Sequence, residues 1–122
     1  MGHGGQIEAA YNAKTKSYNY DAVFEKIKPV LNRADITIAN LEVTLAGPPY
    51  SGYPQFSSPD ALVKSCKRNG IDVLVTANNH SCDRRKNGII RTLEVLDANQ
   101  IPHTGTFRNS VEREHNNLLI LR

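Results

Sequence analysis

Two short strings hold the residues able to do chemistry. Asn40-Leu41-Glu42 closes one β-branched, apolar run, and Asn78-Asn79-His80, followed by Ser81, Cys82 and Asp83, closes another. A strand alternates its side chains, so Asn40 and Glu42 share one direction and Leu41 takes the other. If the two runs are neighbouring strands, a carboxylate, amides and an imidazole meet at one sheet edge. Mg²⁺, Mn²⁺, Fe²⁺ or Zn²⁺ accept such a mixture of oxygen and nitrogen donors. The imidazole alone also suits a general acid, or a hydrogen bond to a phosphoryl oxygen. Each residue has a plainer reading too: Asn78-Asn79 as turn residues, Glu42 as a solvated loop carboxylate, His80 as a structural histidine.

The elements that must position these residues follow from periodicity and punctuation. Val23, Phe24, Ile27, Val30 and Leu31 recur at helical spacing and predict a helix over residues 21–33, bent or restarted at Pro29. Residues 36–41 read as a strand, and residues 43–58, with three prolines and two glycines, as a long loop of the kind that is usually functional. A helix is expected from Ser58 as N-cap and Pro59 to the stop at Asn69-Gly70. Residues 71–76 form the clearest strand, nearly all apolar and so buried on both faces. After the loop 77–86, a helix over 87–99 carries Ile89, Leu93 and Leu96 on one stripe. Short strands are expected at 101–104 and 117–122. Such alternation predicts an α/β fold with a parallel sheet, whose ligands bind beyond the carboxyl ends of the strands.

Composition bounds the rest. With 122 residues, 39% hydrophobic and 22% charged, the chain has the make-up of one globular unit at most. No eighteen-residue apolar run is present to cross a membrane. A formal charge of +3 is too small to argue for nucleic acid, and no strand face interleaves basic with aromatic residues, so a nucleic-acid partner is not expected. The average hides a local excess: between Lys64 and Arg91, seven basic residues face two acidic ones, a local +5. Arg84 and Arg85 precede a helix N-terminus, where cations oppose the dipole, so they are candidates to meet an anion; a solvated loop is the alternative. Cys66 and Cys82 lie sixteen positions apart and could pair, but buried free thiols are the commoner case.

The segment Ala34-Asp35-Ile36-Thr37-Ile38-Ala39-Asn40-Leu41-Glu42 resembles a signature of the bacterial capsule-synthesis (CapA-type, poly-γ-glutamate biosynthesis) proteins. Gly70-Ile71-Asp72-Val73-Leu74-Val75-Thr76-Ala77-Asn78-Asn79-His80 resembles another, and Asp83, Gly88, Phe56-Ser57-Ser58-Pro59 and residues 101–105 follow in the family's order. The family is similar to calcineurin-like metallophosphoesterases, which implies part of a four-layer α/β sandwich around a dinuclear metal site. By that resemblance Glu42 bridges the metals and Asn79 ligates one. His80 contacts a phosphoryl oxygen or protonates the leaving group, and Asp83 orients it or caps the next helix. Asn40, Asn78, Arg84 and Arg85 are the expected substrate-binding residues.

The family's opening Gly-Asp strand and its later histidines have no counterpart here. The resemblance therefore implies a single partial domain over residues 1–122, with His3 either a remnant of the metal site or a plain terminal histidine. It also implies an anionic polymer or phosphoester substrate, membrane-associated synthase partners and a cell-surface location. A non-catalytic accessory that binds an anionic polymer is the alternative.

Overall fold

A computed structural model describes residues 2–121. Helix α1 (Gly4–Ala10) leads into a small antiparallel hairpin of β1 (Tyr11–Asn12) and β2 (Ser17–Tyr18). Two one-turn helices follow, α2 (Asp21–Phe24) and α3 (Lys28–Leu31). The chain then alternates β3 (Ile38–Asn40), α4 (Ala61–Arg68), β4 (Val73–Val75), α5 (Arg85–Ala98), β5 (His103–Thr104) and α6 (Ser110–Asn116). The three later strands form a parallel sheet in the order β3-β4-β5, so the fold is mixed α/β with the expected parallel sheet.

The sheet is short because its register uses only the middle of each apolar run. Ile38, Ala39 and Asn40 face Val73, Leu74 and Val75, and the Leu41 amide donates to the Val75 carbonyl at 2.8 Å, carrying the pairing one residue further. β4 is the central strand. Val73 and Leu74 point to opposite faces, yet both are almost wholly buried. Leu74 joins Leu62, Val63 and Cys66 of α4 and Val95 and Leu96 of α5 in one core with Tyr20, Phe24, Leu41 and Leu45. Burial of such side chains is the main favourable term in holding strands and helices together.

Several boundaries depart from expectation for identifiable reasons. The 21–33 segment breaks over residues 25–27 and restarts as α3, with Pro29 in its first turn where the missing N–H costs nothing. Only Phe24 of that stripe is buried, while Val23, Ile27 and Val30 stay exposed. Ser58 does not cap a helix. Its amide donates to the Thr44 carbonyl at 2.9 Å, the pairing between Thr44 and Ser57 holds it inside the loop, and α4 starts at Ala61 behind Asp60. The stop at Asn69-Gly70 forms as expected, with Gly70 at a φ of +92° and the Ile71 amide closing on the Cys66 carbonyl. α5 begins two residues before the predicted start. No strand forms over residues 117–121, the described part of the one expected at 117–122; the chain instead makes α6, capped by Asn109 accepting from the Glu112 amide at 2.8 Å.

The first twenty residues, without a predicted element, fold locally. Asn12 Oδ1 accepts from the Lys14 and Thr15 amides and turns the hairpin, a job its short polar side chain does well. Tyr18 packs on Tyr11 and, edge-on, on Tyr50 of the long loop, which ties the hairpin to the body.

Candidate functional site

Beyond the carboxyl ends of β3 and β4 the two polar strings meet. Asn40 Nδ2 donates to Glu42 Oε2 at 3.0 Å, as two residues pointing the same way should. Asn78 reaches across from the β4 end, its Nδ2 lying 3.0 Å from Asn40 Oδ1 and 3.0 Å from the Leu41 carbonyl. Asn78 Oδ1 accepts the His80 amide at 3.0 Å, and Ser81 Oγ accepts the Asn78 amide at 3.0 Å. This is an Asx-type turn, which an Asn followed three residues later by Ser encodes locally. Asn78 therefore serves chiefly to fix the backbone that carries His80.

The His80 ring is held from two sides. Its Nδ1 lies 2.9 Å from Asp83 Oδ2, and the same oxygen accepts the Phe56 amide at 2.8 Å. An ionised carboxylate only accepts, so Nδ1 carries the proton and Nε2 is the nitrogen left for other partners. The Phe56 ring stands edge-on to His80, with centroids 4.6 Å apart, and edge-on to His3 at 5.3 Å. Phe56 thus sits between two imidazoles from distant parts of the chain. Its place in a proline-rich loop gave no spacing signal for that arrangement.

His3 is delivered by close backbone contact. A Cβ on Gly52 would lie 2.6 Å from the Gly4 amide nitrogen and 3.1 Å from His3, so the long loop can touch the amino-terminal segment only through glycine. A Cβ on Gly2 would meet Val43 at 2.3 Å. The long loop is itself pinned by side chains. Thr44 Oγ1 donates to the Phe56 carbonyl at 2.6 Å, and Arg84 Nη2 donates to Ser51 Oγ at 2.6 Å.

These residues surround a cavity of about 470 Å³, with His3, Asn40, Glu42, Tyr53 and His80 among its lining. Of the residues singled out in the sequence, His3, Asn40, Glu42 and His80 thus share one cavity, with Asn78 and Asp83 bonded directly to that set. Asn79 is exposed beside them, outside the cavity lining. Arg85 is exposed in the first turn of α5, and Arg84 braces the loop. Much of the basic excess is engaged in structure: Arg68 with Asp21 at 2.9 Å, Arg91 in a two-pronged pair with Asp60 at 2.8 and 2.9 Å, and Lys67 on the carbonyls that end α5. Lys64, Arg85 and Lys86 remain on the surface.

Burial pushes the Cys66 thiol up to about 11, and Cys66 and Cys82 are both free. Among the described residues no three His, Cys, Asp or Glu side chains converge as a metal-holding group. Glu42 and Asn79 are suitable donors, but with Glu42 bonded to Asn40 and His80 Nδ1 bonded to Asp83, the residues present do not by themselves fit a dinuclear centre.

A family model described as bacterial capsule synthesis protein PGA_cap matches residues 1–121. The chain belongs to this family. Two similar proteins come from Sinorhizobium fredii (strain NBRC 101917 / NGR234), both described as uncharacterized. Protein y4sH is 28% identical over 116 residues, 88% of this chain and 25% of its own length. Protein y4uA is 30% identical over 105 residues, 79% of this chain and 23% of its own length. The chain therefore spans about a quarter of the length of the curated relatives it matches. Among the described residues no helix is long and apolar enough to cross a membrane.

Proposed function

We propose that the cavity at the β3 and β4 ends is where this capsule-synthesis chain handles a phosphoester substrate, with His80 as the proton donor. The observation that carries the reading is the His80–Asp83 pair at 2.9 Å on the rim of a cavity that also holds Glu42. In its charged form His80 gives the Nε2 proton to the departing oxygen, and the Asp83 carboxylate balances the imidazolium. Glu42, which lines the same cavity, accepts a proton from the attacking water in this reading. The substrate is a phosphoester of the capsule-synthesis route, met at the cell surface beside a membrane-associated synthase. Divalent metal chemistry would need ligands beyond those this chain brings together, and no step is derived through it.

The test is a titration of the 122-residue chain with methyl phosphate, followed by the ring resonances of His80. A saturable shift that Asp83→Asn weakens is expected, together with loss of methyl phosphate binding by calorimetry in His80→Ala. Unmoved His80 resonances at saturating phosphate would overturn the reading. A second reading, an accessory that binds an anionic polymer without turnover, draws on the exposed Lys64, Arg85 and Lys86. Salt-sensitive binding of polyglutamate that survives Glu42→Ala and His80→Ala would select it.

A further inference from the structure

The turn over residues 51–57 is fastened from several sides. Ser51 and Ser57 exchange amide–carbonyl hydrogen bonds at 3.0 and 2.9 Å, and Ser51 Oγ donates to the Gln55 carbonyl inside the turn. From outside, Arg84 donates to Ser51 Oγ, Asp83 accepts the Phe56 amide, and Ser57 Oγ donates to the Gly47 carbonyl at 2.8 Å. Gly52 lies against the Gly4 backbone. This turn carries Tyr53, which is 75% exposed and lines the mouth of the cavity that His3, Glu42 and His80 share. Among the five tyrosines and three phenylalanines Tyr53 is the most exposed. Tyr11, the other exposed one, packs on Tyr18 with ring centroids 5.0 Å apart, whereas among the described residues no ring packs on Tyr53. A lone exposed ring is ordinary where the backbone beneath it is loose. Here the backbone is held, and the Asp83 oxygen that orients His80 is one of its anchors.

We propose that Tyr53 is a specificity-determining residue of this site, its ring receiving a flat ring on the alcohol part of the phosphoester whose phosphate meets His80. The phosphate end rests on the function proposed above, and the ring end rests on the placement of Tyr53. A stacked or edge-on ring removes from water the contact area that Tyr53 leaves exposed. Tyrosine supplies that area with only two side-chain torsions to fix, and the pinned turn has already ordered the backbone. The contact lies at the exposed mouth and asks for no opening of the buried core. A cavity of about 470 Å³ has the size of a small-molecule site, so one ligand can carry both a phosphate and a ring. Aryl groups and sugars both present such a face, and the ligand series below tells them apart.

Calorimetry on the 122-residue chain compares phenyl phosphate and glucose 1-phosphate with methyl phosphate. At least one ring-bearing ester should bind about three- to tenfold tighter than methyl phosphate, and which one does so identifies an aryl or a sugar face. Tyr53→Ala should bring that ratio close to unity. Tyr53→Phe should keep it, and Tyr53→Leu, apolar but without a ring, should lower it. Because Tyr53 is exposed, these variants are expected to fold as the wild type does, which circular dichroism checks. Ratios close to unity for both esters in the wild type overturn the proposal, as does a ratio that Tyr53→Ala leaves intact. Phenol and methyl glucoside, the rings without phosphate, separate the two assignments. Ring binding that Tyr53→Ala removes, with no gain from the phosphate, supports the ring contact while overturning the phosphoester reading.

Discussion

Asn78 bonds to Asn40 across the sheet, its Nδ2 3.0 Å from Asn40 Oδ1, and with the same nitrogen's bond to the Leu41 carbonyl this contact joins the two polar strings of the chain. It makes the ends of β3 and β4 a single unit: Glu42 leans on Asn40, Asn40 accepts from Asn78, and Asn78 accepts the amide of His80.

Neighbouring asparagines should therefore behave differently. Asn78→Ala removes hydrogen bonds on both sides of the amide and is expected to cost about 1–3 kcal/mol in urea unfolding. Asn79→Ala, at an exposed position, should stay within about 0.5 kcal/mol of wild type. Equal losses would mean that Asn78 does not hold the strand ends together.

Asp83 should matter through His80. Asp83→Ala strands the Phe56 amide and frees the imidazole, with an expected loss of about 1–3 kcal/mol. Nitrogen-15 spectra of the wild-type neutral ring should show the proton on Nδ1, and Asp83→Ala should populate the Nε2 tautomer. A wild-type ring already protonated on Nε2 would contradict the geometry.

Glycine positions offer a comparison of opposite sign. Gly52→Ala places a Cβ 2.6 Å from the Gly4 nitrogen and should destabilise by about 1–3 kcal/mol while shifting the His3 resonances. Gly5, inside α1, has nothing within 4 Å of its virtual Cβ, so Gly5→Ala should stabilise by about 0.4–1 kcal/mol. Thermal unfolding of the pair reads both.

The thiols should separate by burial. Cys82 is exposed and Cys66 is buried with its thiol pushed up to about 11, so Ellman's reagent near neutral pH should titrate one thiol in the folded chain and both in denaturant. Rapid reaction of both in the native state would contradict the packing of Cys66 against the core.

Acid should loosen the contact between α2 and the end of α4. Burial works to raise the Asp21 carboxyl, but hydrogen bonds with Arg68, Ser65 and Asn69 and the Arg68 charge outweigh it, leaving the group below its ordinary 3.8. A depressed carboxylate contributes stability that is fully present above its unfolded value and disappears as pH falls through the folded one. Asp21→Asn should therefore narrow the stability difference between neutral and strongly acidic solution. Because the pair is partly exposed, salt should weaken the effect. Identical acid unfolding of wild type and variant would rule out the linkage.

What the sequence determined by itself was local or periodic. The run 71–76 read as a buried strand, Asn69-Gly70 as a helix stop and Pro29 as a bend or restart, because each depends on residues adjacent in the chain, although the strand itself covers only Val73–Val75. The alternation of Asn40 and Glu42 was legible for the same reason. Tertiary structure decided everything that joins distant segments. It set β3 beside β4 and so brought Asn78 to Asn40, pressed Gly52 against Gly4 to deliver His3, and put Phe56 between two imidazoles. It also drew Ser58 into a loop pairing instead of a cap, and engaged Arg68, Lys67 and Arg91 in contacts that a count of charges cannot foresee. Spacing encodes the direction of a side chain within one element, whereas the partner it meets depends on register and packing between elements, which no single stretch of sequence contains.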